Sequence, residues 1–204
     1  MKPLAITQYT VASALGLGLG PTLAALQAGR TGLAARDFET AHIGTWLGVV
    51  DAVADVTLPP ELADHDCRNN RLAQLGLLAD DFGEHVRQAA QRWGAARVGV
   101  FLGTSTSGIL QTEMAYRHRD PATGALPTWL HYAETHNTYS VSRYVRAALG
   151  LQGPAHVVST ACSSSAKVFA AAQRMIELGI VDAAVVGGVD SLCMTTLYGF
   201  KSLE

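Results

Sequence analysis

Cysteine is scarce in this sequence. There are three in 204 residues: Cys67, Cys162 and Cys193. They stand far apart and form no C-x-x-C pair. That argues against a disulfide framework and a zinc ribbon alike, and it fits reduced thiols in a cytoplasmic setting. Charge is thin as well. Charged side chains make up 16% of the chain, and the formal net charge is −2. No excess of either sign calls for nucleic acid or an anionic membrane surface as a partner. Low-complexity tracts and short repeats are missing. The histidine-rich stretch "HYAETH" (131–136) lacks the H-E-x-x-H spacing, so no metal is expected.

From Leu4 to Gly29 there is no charge at all. Such a run can mark an export signal or a membrane span. Here Gln8, Tyr9, Thr10, three glycines and Pro21 interrupt it. A buried strand over 4–13, a glycine turn over 16–21 and a short helix over 22–29, stopped by Gly29, account for the same residues.

What the chain does have is apolar content, 49% of its residues, enough for a substantial core. Residues 31–68 read as irregular, with Pro59-Pro60 in the middle. Leu72, Leu75, Ala79, Phe82, Val86, Ala89 and Trp93 step by threes and fours and predict one long helix. "RVGVFLG" (97–103) is apolar without alternation, as in a buried parallel strand. Residues 104–135 read as a long excursion. Val141, Tyr144, Val145, Ala148 and Leu149 predict a second helix ending at Gly150. "AHVVST" (155–160) predicts the next strand. A third helix follows from about Ser163 to Leu178, with Val168, Phe169, Ala172, Met175 and Ile176 on one face. "AAVVGGVDS" (183–191) predicts another strand. This alternation argues for right-handed βαβ units in a layered α/β fold with a mostly parallel sheet. "TTLYGFKSLE" (195–204) reads as the start of a further element, as in a piece of a longer chain.

Cys162 falls where strand 155–160 meets the third helix. A helix N-terminus carries partial positive charge and unpaired N–H groups. Both favour the thiolate form of a thiol placed there, and the same amides are able to receive an oxyanion. Small neighbours, Ala161 and Ser163–Ser165, leave room for a substrate. The pattern supplies a nucleophile with its activation. The competing reading is a buried structural cysteine, and that reading is kept for Cys67 and Cys193. "GTSTSG" (103–108) fails the G-x-S-x-G spacing of a serine hydrolase, because position 107 is Ser. "GLGLGP" fails the dinucleotide fingerprint at Pro21.

"STACSSSAKVFAAAQRMIELGIVDAAVVGGVDS" (159–191) resembles the active-site segment of β-ketoacyl-[acyl-carrier-protein] synthases. "GPTLAALQAGRTGL", "VFLGTSTSG" and "THNTYSVSRYVRAALGLQGPAHVVSTACSS" extend the likeness over nearly the whole chain. The resemblance implies one half of a thiolase-like fold, residues 1–204 forming the synthase N-terminal domain. It implies a decarboxylative Claisen condensation through an acyl-Cys162 intermediate, in fatty acid or polyketide synthesis. Thiolases differ around their first cysteine, and chain-length-factor subunits lack it. The loop with Thr104, Ser105, Ser107, Gly108 and Ile109 would line the acyl pocket, near the dimer interface. Arg68, Arg71 and Lys201 would receive the acidic acyl carrier protein, with the competing reading of solvated surface charge. No cofactor is implied beyond the carrier's phosphopantetheine. The implied partners are acyl carrier protein and a second copy or related synthase subunit, with strand 183–190 near that contact. The family's second half brings two histidines, a lysine, a second oxyanion amide and a phenylalanine gate. Those motifs do not occur here, and none of His42, His65, His85, His118, His131, His136 and His156 occupies such a position. The expectation of a different class is a noncatalytic half-domain that dimerises or docks carrier protein.

Overall fold

The computed structural model describes residues 3–203; Met1, Lys2 and Glu204, the ends of the expected 1–204 domain, lie outside the described residues. Two short antiparallel pairs come first. β1 (Ala12–Ser13) pairs with β2 (Gly16–Leu17), and β3 (Ala34–Ala35) with β4 (Trp46–Leu47). Helix α1 (Leu19–Gln27) lies between these pairs, and Gly29 follows it at φ 61°, the left-handed stop its position predicts.

The expected strand over 4–13 is not formed apart from Ala12 and Ser13. Residues 3–7 are exposed, and Ile6 keeps 73% of its surface in solvent. An apolar run gains strand structure only by pairing. Among the described residues this one has no strand pairing before Ala12, and it is tied instead to one aspartate. Thr10 donates to the Asp80 carboxylate at 2.8 Å and Gln8 to the Asp80 carbonyl at 3.1 Å.

That aspartate also corrects the expected single long helix. The apolar stripe is divided between α2 (Arg68–Leu78) and α3 (Phe82–Trp93). Asp80 and Asp81 between them take φ 54° and 55°, which no α-helix tolerates. The break turns the Asp80 carboxylate onto the N-terminus of α1, where both oxygens accept the Leu19 N–H at 3.0 and 3.1 Å. A carboxylate there satisfies an orphan amide and meets the positive end of the helix dipole. Periodicity is preserved across the break, so the pattern by itself cannot reveal it.

The central sheet has three parallel strands, β5 (Val98–Gly103), β6 (Ala155–Val158) and β7 (Ala183–Gly188), in the order β6-β5-β7. β5 is buried throughout, as its unbroken apolar run predicts. Its alternate residues serve two cores. Val98, Val100 and Leu102 pack with Ala73, Val86, Val141, Tyr144, Val145 and Val185. Phe101 points the other way, to Val168 and Ala172. The sheet is therefore covered on one face by α2, α3 and α5 (Ser140–Ala148), and on the other by α6 (Ser164–Glu177). Tyr144 is fully buried and donates to Gln74 at 2.6 Å; burial pushes its phenol well above the ordinary range.

Two further differences from the sequence reading concern helices. The excursion after β5 contains α4 (Ile109–Arg117), which packs against the final helix α7 (Met194–Lys201). Phe169 does not share the buried face of α6 and is 47% exposed. Among the described residues, no helix is long and apolar enough to cross a membrane.

Candidate functional site

Parallel strands all end at one edge of their sheet, and loops leaving that edge are where an α/β fold builds its sites. Here the exits of β5, β6 and β7 supply residues 104–107, 159–163 and 189–191.

The β6 exit carries Cys162, the only exposed cysteine; Cys67 and Cys193 are buried. Burial pushes the Cys67 thiol up to about 11. Ala161, just before the nucleophile candidate, takes φ 51°, a left-handed conformation that costs an L-residue about 1–3 kcal/mol. The surrounding serines hold it. The Ser164 hydroxyl donates to the Ala161 carbonyl at 2.7 Å and accepts the Thr160 N–H at 2.9 Å. The Ser163 hydroxyl donates to the Thr160 carbonyl at 2.9 Å. The serine cluster that follows the cysteine thus locks a tight elbow on which Cys162 is exposed. The Ser164 amide is committed to the Ala161 carbonyl at 3.1 Å, so it is not among the free donors expected of this helix start.

Two glycines set how closely this elbow sits on the sheet. A Cβ on Gly103 would lie 2.6 Å from backbone atoms of Ser164 and Ser165. A Cβ on Gly188 would lie 2.5 Å from the Ser165 Cβ. Glycine at the ends of β5 and β7 is what lets the first turn of α6 approach.

The loop after β5 is held by polar groups. Ser107 takes φ 43°, and its hydroxyl lies within 3.0–3.1 Å of the Asn137 and Thr135 carbonyls. The Ser105 hydroxyl reaches toward the elbow, 3.4 Å from both the Ala161 carbonyl oxygen and the Ser164 hydroxyl. A cavity of about 220 Å³ opens beside it. Of the expected pocket residues, Ser105, Ser107 and Ile109 line this cavity. Thr104 and Gly108 do not; Thr104 is buried behind the loop, and the Gly108 N–H is bound to the Thr135 carbonyl at 3.0 Å. Thr106, Tyr132, His136, Asn137 and Thr138 complete the lining and were not foreseen. The last four come from the end of the excursion and the short stretch between it and α5, where no periodicity places a residue. Tyr132 and His136 stack with centroids 5.0 Å apart, and His136 Nδ1 is 2.7 Å from the Thr112 hydroxyl.

The basic residues expected to receive a carrier have local partners. Arg71 forms a two-pronged pair with Asp66 at 2.5 and 2.6 Å, and this pairing raises its pKa further. Arg68 is half-buried with its guanidinium 5.0 Å from the Phe38 ring centre. Lys201 is exposed at the end of α7. Among the described residues, no group of three or more histidine, cysteine or acidic side chains gathers as metal ligands would.

Comparison with known proteins agrees with this layout. The family model for the N-terminal domain of β-ketoacyl synthases matches residues 79–204. Polyketide synthase PksN of Bacillus subtilis is 29% identical over 158 residues, covering 75% of this chain and 3% of that protein. The 3-oxoacyl-[acyl-carrier-protein] synthase 2 of Rhizobium meliloti is 47% identical over 55 residues, covering 26% of this chain and 13% of that one. Among solved structures, the ketosynthase ApeO, in complex with its chain length factor ApeC from Xenorhabdus doucetiae, superposes with TM-score 0.76 at 32% identity. That match covers 96% of this chain and 50% of the solved one. The chain thus spans a small part of the curated relatives and half of the solved ketosynthase, and its three-stranded α/β unit is a thiolase-like half. It belongs to the β-ketoacyl synthase family.

Proposed function

We propose that this chain is the nucleophile-bearing half of a condensing enzyme that joins an acyl thioester to malonyl-carrier protein. The observation that carries the reading is the exposed Cys162 on its serine-locked elbow, against which rests Ser105, a residue that lines the cavity. The Cys162 thiolate attacks the carbonyl of a carrier-bound acyl thioester and expels the phosphopantetheine thiol, which leaves with a proton. Malonyl-carrier protein then loses carbon dioxide, and its two-carbon enolate attacks the acyl-Cys162 carbonyl. The C–S bond breaks, the cysteine is regenerated, and a β-ketoacyl-carrier is released.

The enolate needs donors to stabilise its charge, and in this family those donors come from the second half. Removing one such donor typically costs about a hundredfold to a thousandfold in rate. Residues 1–204 alone therefore acylate at Cys162 but do not condense. Docking of the acidic carrier at Arg68, Arg71 and Lys201, and pairing with a second copy or a related synthase subunit, belong to the same proposal.

The test measures carbon dioxide release from malonyl-carrier protein, and carrier binding by titration. Residues 1–204 are compared with a chain extended through a second half. The expected result is binding by both and decarboxylation by the extended chain alone. Equal decarboxylation rates would overturn the division of labour. Binding without Cys162 acylation in either would favour a noncatalytic docking module.

A further inference from the structure

We infer that Asp190 is a positioning residue for this site, clamping the loop that forms the wall between the cavity and the Cys162 elbow. This inference rests on Cys162 being the residue acylated. Asp190 follows β7, and four donors from a single loop converge on its Oδ1. They are the Ser105 N–H at 2.7 Å, the Thr106 N–H at 3.1 Å, and the Thr104 and Thr106 hydroxyls, both at 3.1 Å.

The roles of these groups are mutually consistent. The Thr104 hydroxyl donates to Asp190 and accepts the Ser107 N–H at 3.1 Å. The Thr106 hydroxyl donates to Asp190 and accepts the Ser191 N–H at 3.0 Å. Asn69, fully buried near the start of α2, offers its Oδ1 to the same Ser191 N–H at 3.0 Å. Three segments remote in sequence are thereby fastened at one corner of the sheet. Thr104 and Thr106 are buried, so loss of their acceptor strands two hydroxyls where replacing water is scarce.

The connection to the nucleophile runs through Ser105. Its N–H is held by Asp190, and its hydroxyl faces the Ala161 carbonyl and the Ser164 hydroxyl. Ser105 and Thr106 also line the cavity. A loop released from Asp190 loosens that wall and its contact with the elbow together. Among the described residues these hydrogen bonds run to the Ala161 carbonyl and the Ser164 hydroxyl and not to the Cys162 sulfur, so the effect falls on the seating of the acyl group more than on the intrinsic reactivity of the thiol.

The experiment compares the native chain with Asp190→Ala and Asp190→Asn. Asparagine retains one acceptor oxygen in the same place; alanine retains none. Amide hydrogen exchange at Ser105 and Thr106 is read beside global exchange. Acylation of Cys162 by butanoyl-N-acetylcysteamine is followed by intact mass over a range of thioester concentrations. Asp190→Ala is expected to raise local exchange about tenfold or more while global exchange changes less. The half-saturating thioester concentration rises by a similar factor, and the limiting rate moves less than about threefold. Asp190→Asn recovers most of both. Native exchange in Asp190→Ala, or identical behaviour of the two variants, would overturn the inference. If the native chain is not acylated at Cys162, the functional reading fails, and the exchange measurement still decides the clamp.

Discussion

Gly103→Ala tests whether the elbow is placed by the sheet beneath it. The added Cβ would sit 2.6 Å from the Ser164 carbonyl carbon and the Ser165 nitrogen, and 2.8 Å from the Ser165 Cα. Ordinary contact begins at 3.4 Å, so the first turn of α6 must rise by about 0.8 Å, or β5 must sink by as much. The obstacles are backbone atoms, and no side-chain rotation relieves them. β5 is buried on both faces and cannot yield. Overpacking of this kind costs about 1–3 kcal/mol. A reactive group displaced by about 1 Å can lose about a hundredfold in rate. Gly188→Ala provides the control, because its obstacle is the Ser165 Cβ at 2.5 Å, a side-chain atom. Ser165→Gly removes that atom and should restore Gly188→Ala, yet leave Gly103→Ala impaired. Thermal unfolding and Cys162 acylation by butanoyl-N-acetylcysteamine read the two effects separately. A Gly103→Ala variant that melts within about a degree of the native chain and acylates at the native rate would refute the argument. So would equal rescue of both alanine variants by Ser165→Gly.

Limiting iodoacetamide near neutral pH should label Cys162 before Cys67 and Cys193, since only Cys162 is exposed; mapping by mass spectrometry with faster labelling of either buried thiol would reverse the assignment. Asp80→Ala should cost about 2 kcal/mol in chemical denaturation, because it removes the acceptor of the Leu19 amide and forces alanine into the left-handed region; a loss under about 0.5 kcal/mol, the usual scatter of surface changes, would show that the α2–α3 break does not depend on this contact. His65 is buried with Nδ1 lacking a partner among the described residues, and desolvation, with Arg143 adding to it, holds its pKa below the ordinary 6.5. The unfolded chain therefore takes up the proton first. Stability is complete above the ordinary value and is lost as pH falls from there toward the folded one, by at most about 1.4 kcal/mol per pH unit. Replacement by Gln should flatten that part of the stability–pH curve, and an unchanged curve would count against it.

The parts of the fold that were legible in the sequence are those fixed by local pattern. β5 has no polar residue to interrupt it, and α5 places Val141, Tyr144 and Val145 on one buried face. Gly29, Gly150 and Gly179 stop their helices at positive φ. The place of Cys162 between β6 and α6 was legible for the same reason, because a strand, a small-residue turn and a helix are written consecutively around it. Where tertiary contact decides, local pattern misleads. The stripe from Leu72 to Trp93 keeps helical period through two left-handed aspartates, because the reason for the break lies at Leu19, sixty-one residues earlier in the chain from Asp80. The run 4–13 has strand composition, but its backbone finds only two residues of pairing.

The same distinction explains which site residues the sequence kept hidden. Ser105 and Ser107 stand out in a glycine-flanked polar loop, so a reading of the chain can propose them. Asp190 looks like one more acidic residue after a strand, and Asn69 like a polar residue in the first turn of a helix. Each matters through partners far away: Asp190 through Ser105, 85 residues earlier, and Asn69 through Ser191, 122 residues later. Both distances collapse because parallel strands deliver their exits to one edge. β5, with β6 on one side and β7 on the other, brings residues 104, 159 and 189 to the same level of the sheet. The register of three strands thus does what no motif records. It places a carboxylate from one exit beneath a loop from the second, and that loop against the elbow that carries Cys162 in the third.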